Sequence, residues 1–329
     1  MNIVSPRIGN GADIAGKAGR KKIPVIWYSV ALLVSLCVLF QIGNRNFFSG
    51  YNLLTILDFT VIMLLVGLGQ MSAILTGGID LSVGGVMSFT SVVFVIMVSR
   101  IGALAYPMCM SIGLVVGIIN GNLLTRIRIP SFIATLGIGG ILMSLSMVVA
   151  PVPVNIPFDS WEPLRVITGK FLGISNTLWL GCLIFLLYFA FYRFGIIGRQ
   201  IYAIGSNIKM SWMSGINITK ARNWAFMLSG LGASAAGIMV SSVQYGSNPY
   251  LGSTYILNSI AAVVVGGTAL TGGTGGPLNT LLGALILSVL RNGMNVVGID
   301  QYFQQSILGF MIIAAVVLTF DRQRAGIIK

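Results

Sequence analysis

The sequence predicts an all-α, polytopic integral membrane protein with about ten transmembrane helices and both termini cytoplasmic. Three observations predict it. Of 329 residues, 56% are hydrophobic and 8% are charged, whereas an average soluble chain carries about 25% charged residues; the mean hydropathy is +0.92. Apolar runs recur at roughly the 20 residues that a helix needs to cross a bilayer. The basic residues fall on alternate connections, the positive-inside pattern. A soluble domain cannot bury this much apolar surface, whereas lipid is itself an apolar solvent. No run shows the alternation that a membrane β-barrel requires.

In chain order, residues 1–24 form a basic tail with Arg7, Lys17, Arg20, Lys21 and Lys22. Gly11, Gly16 and Lys17 stand at the spacing of a phosphate-binding loop, but Ala18 occupies the position where that loop needs a hydroxyl, and no strand precedes it. Energy from ATP would therefore come through another chain. The first apolar run reads as a retained helix, since no small-residue cleavage site follows it. Predicted spans cover 25–42, 53–76, 85–99, 103–125, 131–150, 176–192, 224–243, 255–270, 277–294 and 302–320, within one membrane domain, 25–320. A second basic tail, 321–329, closes the chain. Two connections are long: an outer, proline-rich one, 151–175, and an inner, basic one, 193–222.

An even number of spans puts both tails on one side. That side receives fifteen of the twenty basic residues, including Arg126, Arg128, Arg193, Arg199, Lys209, Lys220 and Arg222. It is read as cytoplasmic. The formal charge of +13 thus points to anionic lipid as a partner and not to nucleic acid. Histidine is absent, which excludes histidine catalysis and histidine metal ligation. Cys37, Cys109 and Cys182 lie in separate apolar runs and read as buried thiols. No catalytic site, metal site or cofactor site is expected on this chain.

Three glycine-bearing stretches stand out. Between the second and third spans lie Gly77, Gly78, Asp80, Ser82 and Gly84, a glycine density that breaks a helix. Asp80 would cost about 2.5–3.5 kcal/mol at a bilayer centre, so it either caps the next helix or belongs to a gate. In the inner connection, Gly198, Tyr202, Gly205, Asn207, Trp212, Met213 and Gly215 surround a predicted short helix over 210–214. Its Trp212 and Met213 would anchor a groove on a partner protein, unless anionic lipid holds the loop. A second glycine-rich turn contains Gly266, Gly267, Gly272 and Gly273. Gly113, Gly117 and Gly121 form a small face for close helix packing.

The run LTGGIDLSVGG from Leu75 to Gly85 resembles the signature of permeases from bacterial ribose-type and galactose-type ABC sugar importers. RIPSFIATLG (128–137), GRQIYAIGSN (198–207) with SGI (214–216), and IAAVVVGGTALTGG (260–273) match the same family in order. The resemblance implies a multi-pass permease of a bacterial inner (cytoplasmic) membrane that dimerises with a second copy or a paralogue. It also implies a cytoplasmic ABC ATPase that uses ATP and magnesium, and a periplasmic sugar-binding protein. Residues 193–222 become the coupling loop. The sequence departs from the family at Ile208, Lys209, Met210 and Ser211, at Ile256 and Asn258, and at Thr274, which leaves the ATPase and the sugar open. The expected function is import of a monosaccharide or related small polyol by alternating access. The alternative is an ion-coupled secondary transporter, for which Asp58 and Asp80 are the candidate coupling carboxylates.

Overall fold

The computed structural model describes residues 25–319; both tails, with the phosphate-loop-like spacing at Gly11 to Lys17, lie outside them. The helices are α1 (Val25–Gly43), α2 (Gly50–Leu75), α3 (Ser82–Ile101), α4 (Ala105–Asn122), α5 (Ser131–Val149), α6 (Arg165–Thr168), α7 (Asn176–Phe194), α8 (Ile196–Ser206), α9 (Ile208–Met213), α10 (Ile218–Val243), α11 (Tyr255–Val265), α12 (Pro277–Val297) and α13 (Gln301–Thr319). A π-helical turn, Leu123–Ile127, extends α4. Seven stretches among the described residues are long and apolar enough to cross a membrane. One of them, Ser82–Ile127, holds both α3 and α4.

α10 occupies the centre and packs most extensively against α4, then against α2 and α3. Glycines permit this. A side chain at Gly117 of α4 would stand 2.6 Å from Met227 Cα of α10, and one at Gly121 would stand 2.8 Å from Asn223 Cα. Gly69 of α2 likewise faces the Ser229 carbonyl at 2.6 Å. Lipid gives helices no hydrophobic reason to associate, so close van der Waals packing through small residues replaces it. The outward faces of α1, α5 and α7 are apolar, with Leu39, Ile133, Leu136, Val148, Leu183 and Leu187 exposed. Such surfaces suit a hydrocarbon surrounding.

The mostly helical fold agrees with the sequence expectation, which needs three corrections in detail. Two short strand pairs accompany the helices: β1 (Val154–Asn155) pairs antiparallel with β4 (Gly246–Ser247), and β2 (Lys170–Phe171) with β3 (Ile174–Ser175). The β1–β4 pair, with Trp161 tilted against Tyr245 at 4.2 Å between centroids, fastens the 151–175 connection to the segment that follows α10, while the β2–β3 pair is a hairpin within that connection. The predicted span 255–270 holds only α11, eleven residues, about 16 Å long. Gly266 ends it and Gly267 (φ +101) turns the chain away. α10 and α3 begin earlier than predicted, at Ile218 and Ser82, the former because Asn217 accepts a bond from Lys220 N–H. Cys182 is exposed, on the outward face of α7; of the other two thiols, Cys109 is buried and Cys37 partly so.

Candidate functional site

α2 stops at Leu75 because Gly77 takes a positive φ of 77° and the N–H groups of Gly77 and Gly78 turn back to Ile74 and Ala73. Beyond it, the chain runs along the first turns of α5. Ile79 N–H donates to Ser131 Oγ at 3.1 Å, Leu81 N–H donates to Thr135 Oγ1 at 3.0 Å, and Thr135 Oγ1 lies 3.3 Å from the Ile79 carbonyl. Ser131 and Thr135 are four residues apart and so share one face of α5. Their hydroxyls replace the backbone partners that a broken helix loses, which is the condition for irregular backbone inside a membrane protein.

Asp80 is 1% exposed. Its Oδ1 accepts from Ser82 N–H at 2.9 Å and from the Ser82 hydroxyl at 2.5 Å. Asn120 Nδ2 of α4 donates to Ser82 Oγ at 2.8 Å. Asp80 therefore serves the first N–H of α3 through a two-residue turn, although the residue at the cap position, Leu81, makes no side-chain bond. Asp80 Oδ2 has no hydrogen-bond partner among the described residues, and the Ser229 hydroxyl of α10 lies beside the carboxylate. Ser131, Thr135 and Asn120 were not singled out from the sequence. Their signal was a hydroxyl pair at helical spacing, and an amide, inside otherwise apolar spans.

The three glycine stretches converge. Gly273 N–H donates to the Leu75 carbonyl at 3.0 Å, joining the second turn to the end of α2. A side chain on Gly205 of α8 would strike that same carbonyl and Gly273 N. One on Gly272 would reach Gly77 N at 2.7 Å, and one on Gly273 would reach Ser206 N at 2.5 Å. Gly272 and Gly273 have φ of +86° and +74°, a region open mainly to glycine. Three segments distant in sequence thus meet backbone on backbone. Tyr202 secures the contact from α8, its hydroxyl donating to the Gly275 carbonyl at 3.0 Å. Burial pushes that phenol above its ordinary pKa, so it stays a donor at physiological pH.

The other predicted positions sit around this junction. Gly266 packs against Asn279, whose side chain donates to the Gly266 carbonyl; with Gly267 it ends α11 one turn before the junction. Gly84 lies on α3 against Gly252 and Ile256, and Gly198 against Tyr192. Gly78 has space for a small side chain between Phe226 and Ser131, so closeness there is less strict than at its neighbours. The 193–222 connection is more ordered than expected: it is mostly helical, with α8 burying Ile201 and Ile204. The short helix α9 begins two residues earlier than predicted because Asn207 Oδ1 caps Met210 N–H at 3.0 Å. Trp212 and Met213 stand 69% and 67% exposed, and Gly215 (φ +76) ends the turn in open space.

This arrangement defines a multi-pass membrane protein in which an exposed helical elbow at one end is joined, through a glycine junction, to a buried break between two core helices. A sequence profile described as "Branched-chain amino acid transport system / permease component" matches residues 52–316, and the chain belongs to that family. It is 34% identical to the ribose import permease protein RbsC of Escherichia coli (strain K12) over 320 residues, covering 93% of this chain and 98% of the relative. It is 35% identical to the ribose import permease protein RbsC of Bacillus subtilis (strain 168), covering 89% and 92%. The fructose import permease protein FrcC of Rhizobium meliloti is 31% identical, with 88% and 83% covered.

Proposed function

We propose that this chain carries a pentose, a hexose or a related small polyol across a bacterial inner membrane as the permease of an ATP-driven importer. The relatives' names supply the cargo class. The family profile is named for amino acid transport, but several relatives that align along most of the chain are named for ribose or fructose, and a neutral polyhydroxylated cargo suits a bundle with few embedded charges. Ten spans with both tails cytoplasmic are proposed from the alternating charge. α11 then enters from the outer side and ends within the membrane, and the glycine turn completes that passage.

One observation supports the transport mechanism above the others: the backbone junction of Leu75, Gly205, Gly272 and Gly273. An ATPase bound to α9 would move α8, and contacts between backbones leave no flexible side chain to absorb the motion. Displacement would pass to the Gly77–Leu81 break and to the Gly266–Gly276 turn, two irregular segments that adjoin the junction. Alternating access would follow from their rearrangement. ATP and magnesium would act on the ATPase. A periplasmic binding protein would deliver the sugar beside the 151–175 cap, and a second permease copy or a paralogue would complete the pathway.

Substitution of Trp212 tests this. Trp212→Ala removes the largest exposed side chain of α9, and truncating an interface anchor costs about 2 kcal/mol or more, a loss of at least tenfold in affinity. The variant should insert normally while retaining less ATPase on co-purification, or hydrolysing ATP without uptake. Full retention with wild-type coupling would remove α9 from the interface.

A further inference from the structure

We infer that the connection between α4 and α5 forms the second half of the ATPase docking surface, with Arg128 receiving a carboxylate from the ATPase. The inference rests on the proposed function and extends it to a second segment of the chain. Arg128 follows the π-helical turn and is held at φ +65, a left-handed conformation that costs a residue with a side chain roughly 1–2 kcal/mol. The N–H groups of Arg128 and Ile129 both return to the Leu123 carbonyl, so the turn is tightly wound and Arg128 is presented from a fixed position.

Arg128 and Trp212 line one groove of about 560 Å³ whose floor is the turn from Gly215 to Thr219. A neighbouring cleft continues from Arg128 past Arg222 to Gly77 and Gly78. Any domain that covers Trp212 therefore also covers Arg128. Removing water from a guanidinium without supplying a partner costs several kcal/mol, so a surface that docks on α9 must bring negative charge to this groove.

Among the described residues the chain has none to offer there. Of its seven acidic residues, Asp13 and Asp321 lie outside the described residues. Asp80 is buried and engaged with Ser82. Asp58 lies beside Ser175, Asp159 and Glu162 belong to the 151–175 cap, and Asp300 follows α12 at the end that adjoins Asn44; all four are at the opposite end of the bundle. The charged side chains that line the groove and the adjoining cleft are Arg128 and Arg222, and the nearest charged residues in sequence on the surrounding elements, Arg126, Lys209 and Lys220, are also basic. The first turn of α10 contains no acidic residue, so its positive helix end adds to the field. Ile127, 63% exposed beside Arg128, gives the patch the mixture of arginine, aromatic and aliphatic groups that marks interface centres. Arginine matches a carboxylate with two parallel hydrogen bonds, which lysine cannot reproduce.

The test is binding of the cognate ATPase to the purified full-length permease in neutral-lipid nanodiscs, comparing wild type, Arg128→Lys, Arg128→Ala, Arg128→Glu and Trp212→Ala. The expected losses for Arg128→Ala are about tenfold to a hundredfold, smaller for lysine and larger for glutamate. Reversing an acidic ATPase residue to arginine should restore Arg128→Glu. A cysteine at Ile127 should cross-link to the ATPase, a readout that survives if the charge variants insert poorly. Wild-type binding by Arg128→Glu together with weakened binding by Trp212→Ala would overturn this inference and leave the proposed function standing. Wild-type binding by both would overturn the α9 interface as well. A defect of Arg128→Glu that appears only in anionic-lipid vesicles would assign the groove to a lipid phosphate and likewise overturn it.

Discussion

Gly273→Ala is the sharpest perturbation of the junction. The added Cβ would lie 2.5 Å from Ser206 N and 2.7 Å from Ser206 Cα, where carbon contacts are comfortable at about 3.5–4.0 Å. α8 must then withdraw by about 1 Å. Overpacking of this kind costs about 1–3 kcal/mol, and alanine at φ +74 adds roughly 1–2 kcal/mol. The total, about 2–5 kcal/mol, shifts the closed junction by roughly 30-fold to several thousand-fold. The assay is sugar uptake per ATP hydrolysed in proteoliposomes with the ATPase and binding protein. Gly273→Ala should insert, bind the ATPase through the untouched α9, and hydrolyse ATP, while uptake per ATP falls at least tenfold. Gly140→Ala is the control, since its added Cβ meets nothing within 4 Å, and it should behave as wild type. Wild-type coupling by Gly273→Ala would refute the view that backbone contact at this point transmits motion.

Other expectations concern the break and the topology. Asp80→Asn keeps an oxygen for Ser82 N–H and its hydroxyl, so it should retain more stability than Asp80→Ala, which strands both donors at about 1–3 kcal/mol each; detergent melting of the pair checks this order. Thr135→Val deletes the acceptor for Leu81 N–H in a fully buried position, and should lower the melting midpoint by an amount corresponding to about 1–3 kcal/mol, whereas Thr135→Ser should not. Reporter fusions at Asn207 should signal cytoplasm and fusions at Ser247 the outside; an outside signal at Asn207 would break both the ten-span topology and the coupling assignment.

Much of this fold is legible in the sequence because lipid imposes a simple rule. Apolar runs of span length must be helices, and charge bias orients them. α2, α5 and α7 therefore fall within a few residues of their predicted limits. The small face at Gly113, Gly117 and Gly121 also reads directly, since its spacing is local. The junction does not. Gly77, Gly205 and Gly273 each mark a local need for a missing side chain, but nothing in any one stretch says that the other two supply the obstructing backbone. α11 was overextended because Gly266 and Gly267 are embedded in apolar neighbours that look helical by composition. The strand pair of β1 and β4 joins residues about ninety positions apart through two bonded residues on each side, too short a pattern to register. Ser131 and Thr135 carry a helical spacing that could have been seen, although their partner, an extended segment fifty residues upstream, could not.

The most direct measurement is uptake of labelled ribose or fructose into vesicles that contain this chain and its binding protein, with and without the ATPase. ATP-dependent uptake that requires the ATPase and is insensitive to an uncoupler is the expected result. Uptake at the full rate in vesicles lacking any ATPase, abolished by the uncoupler, would contradict the account and restore the ion-coupled alternative.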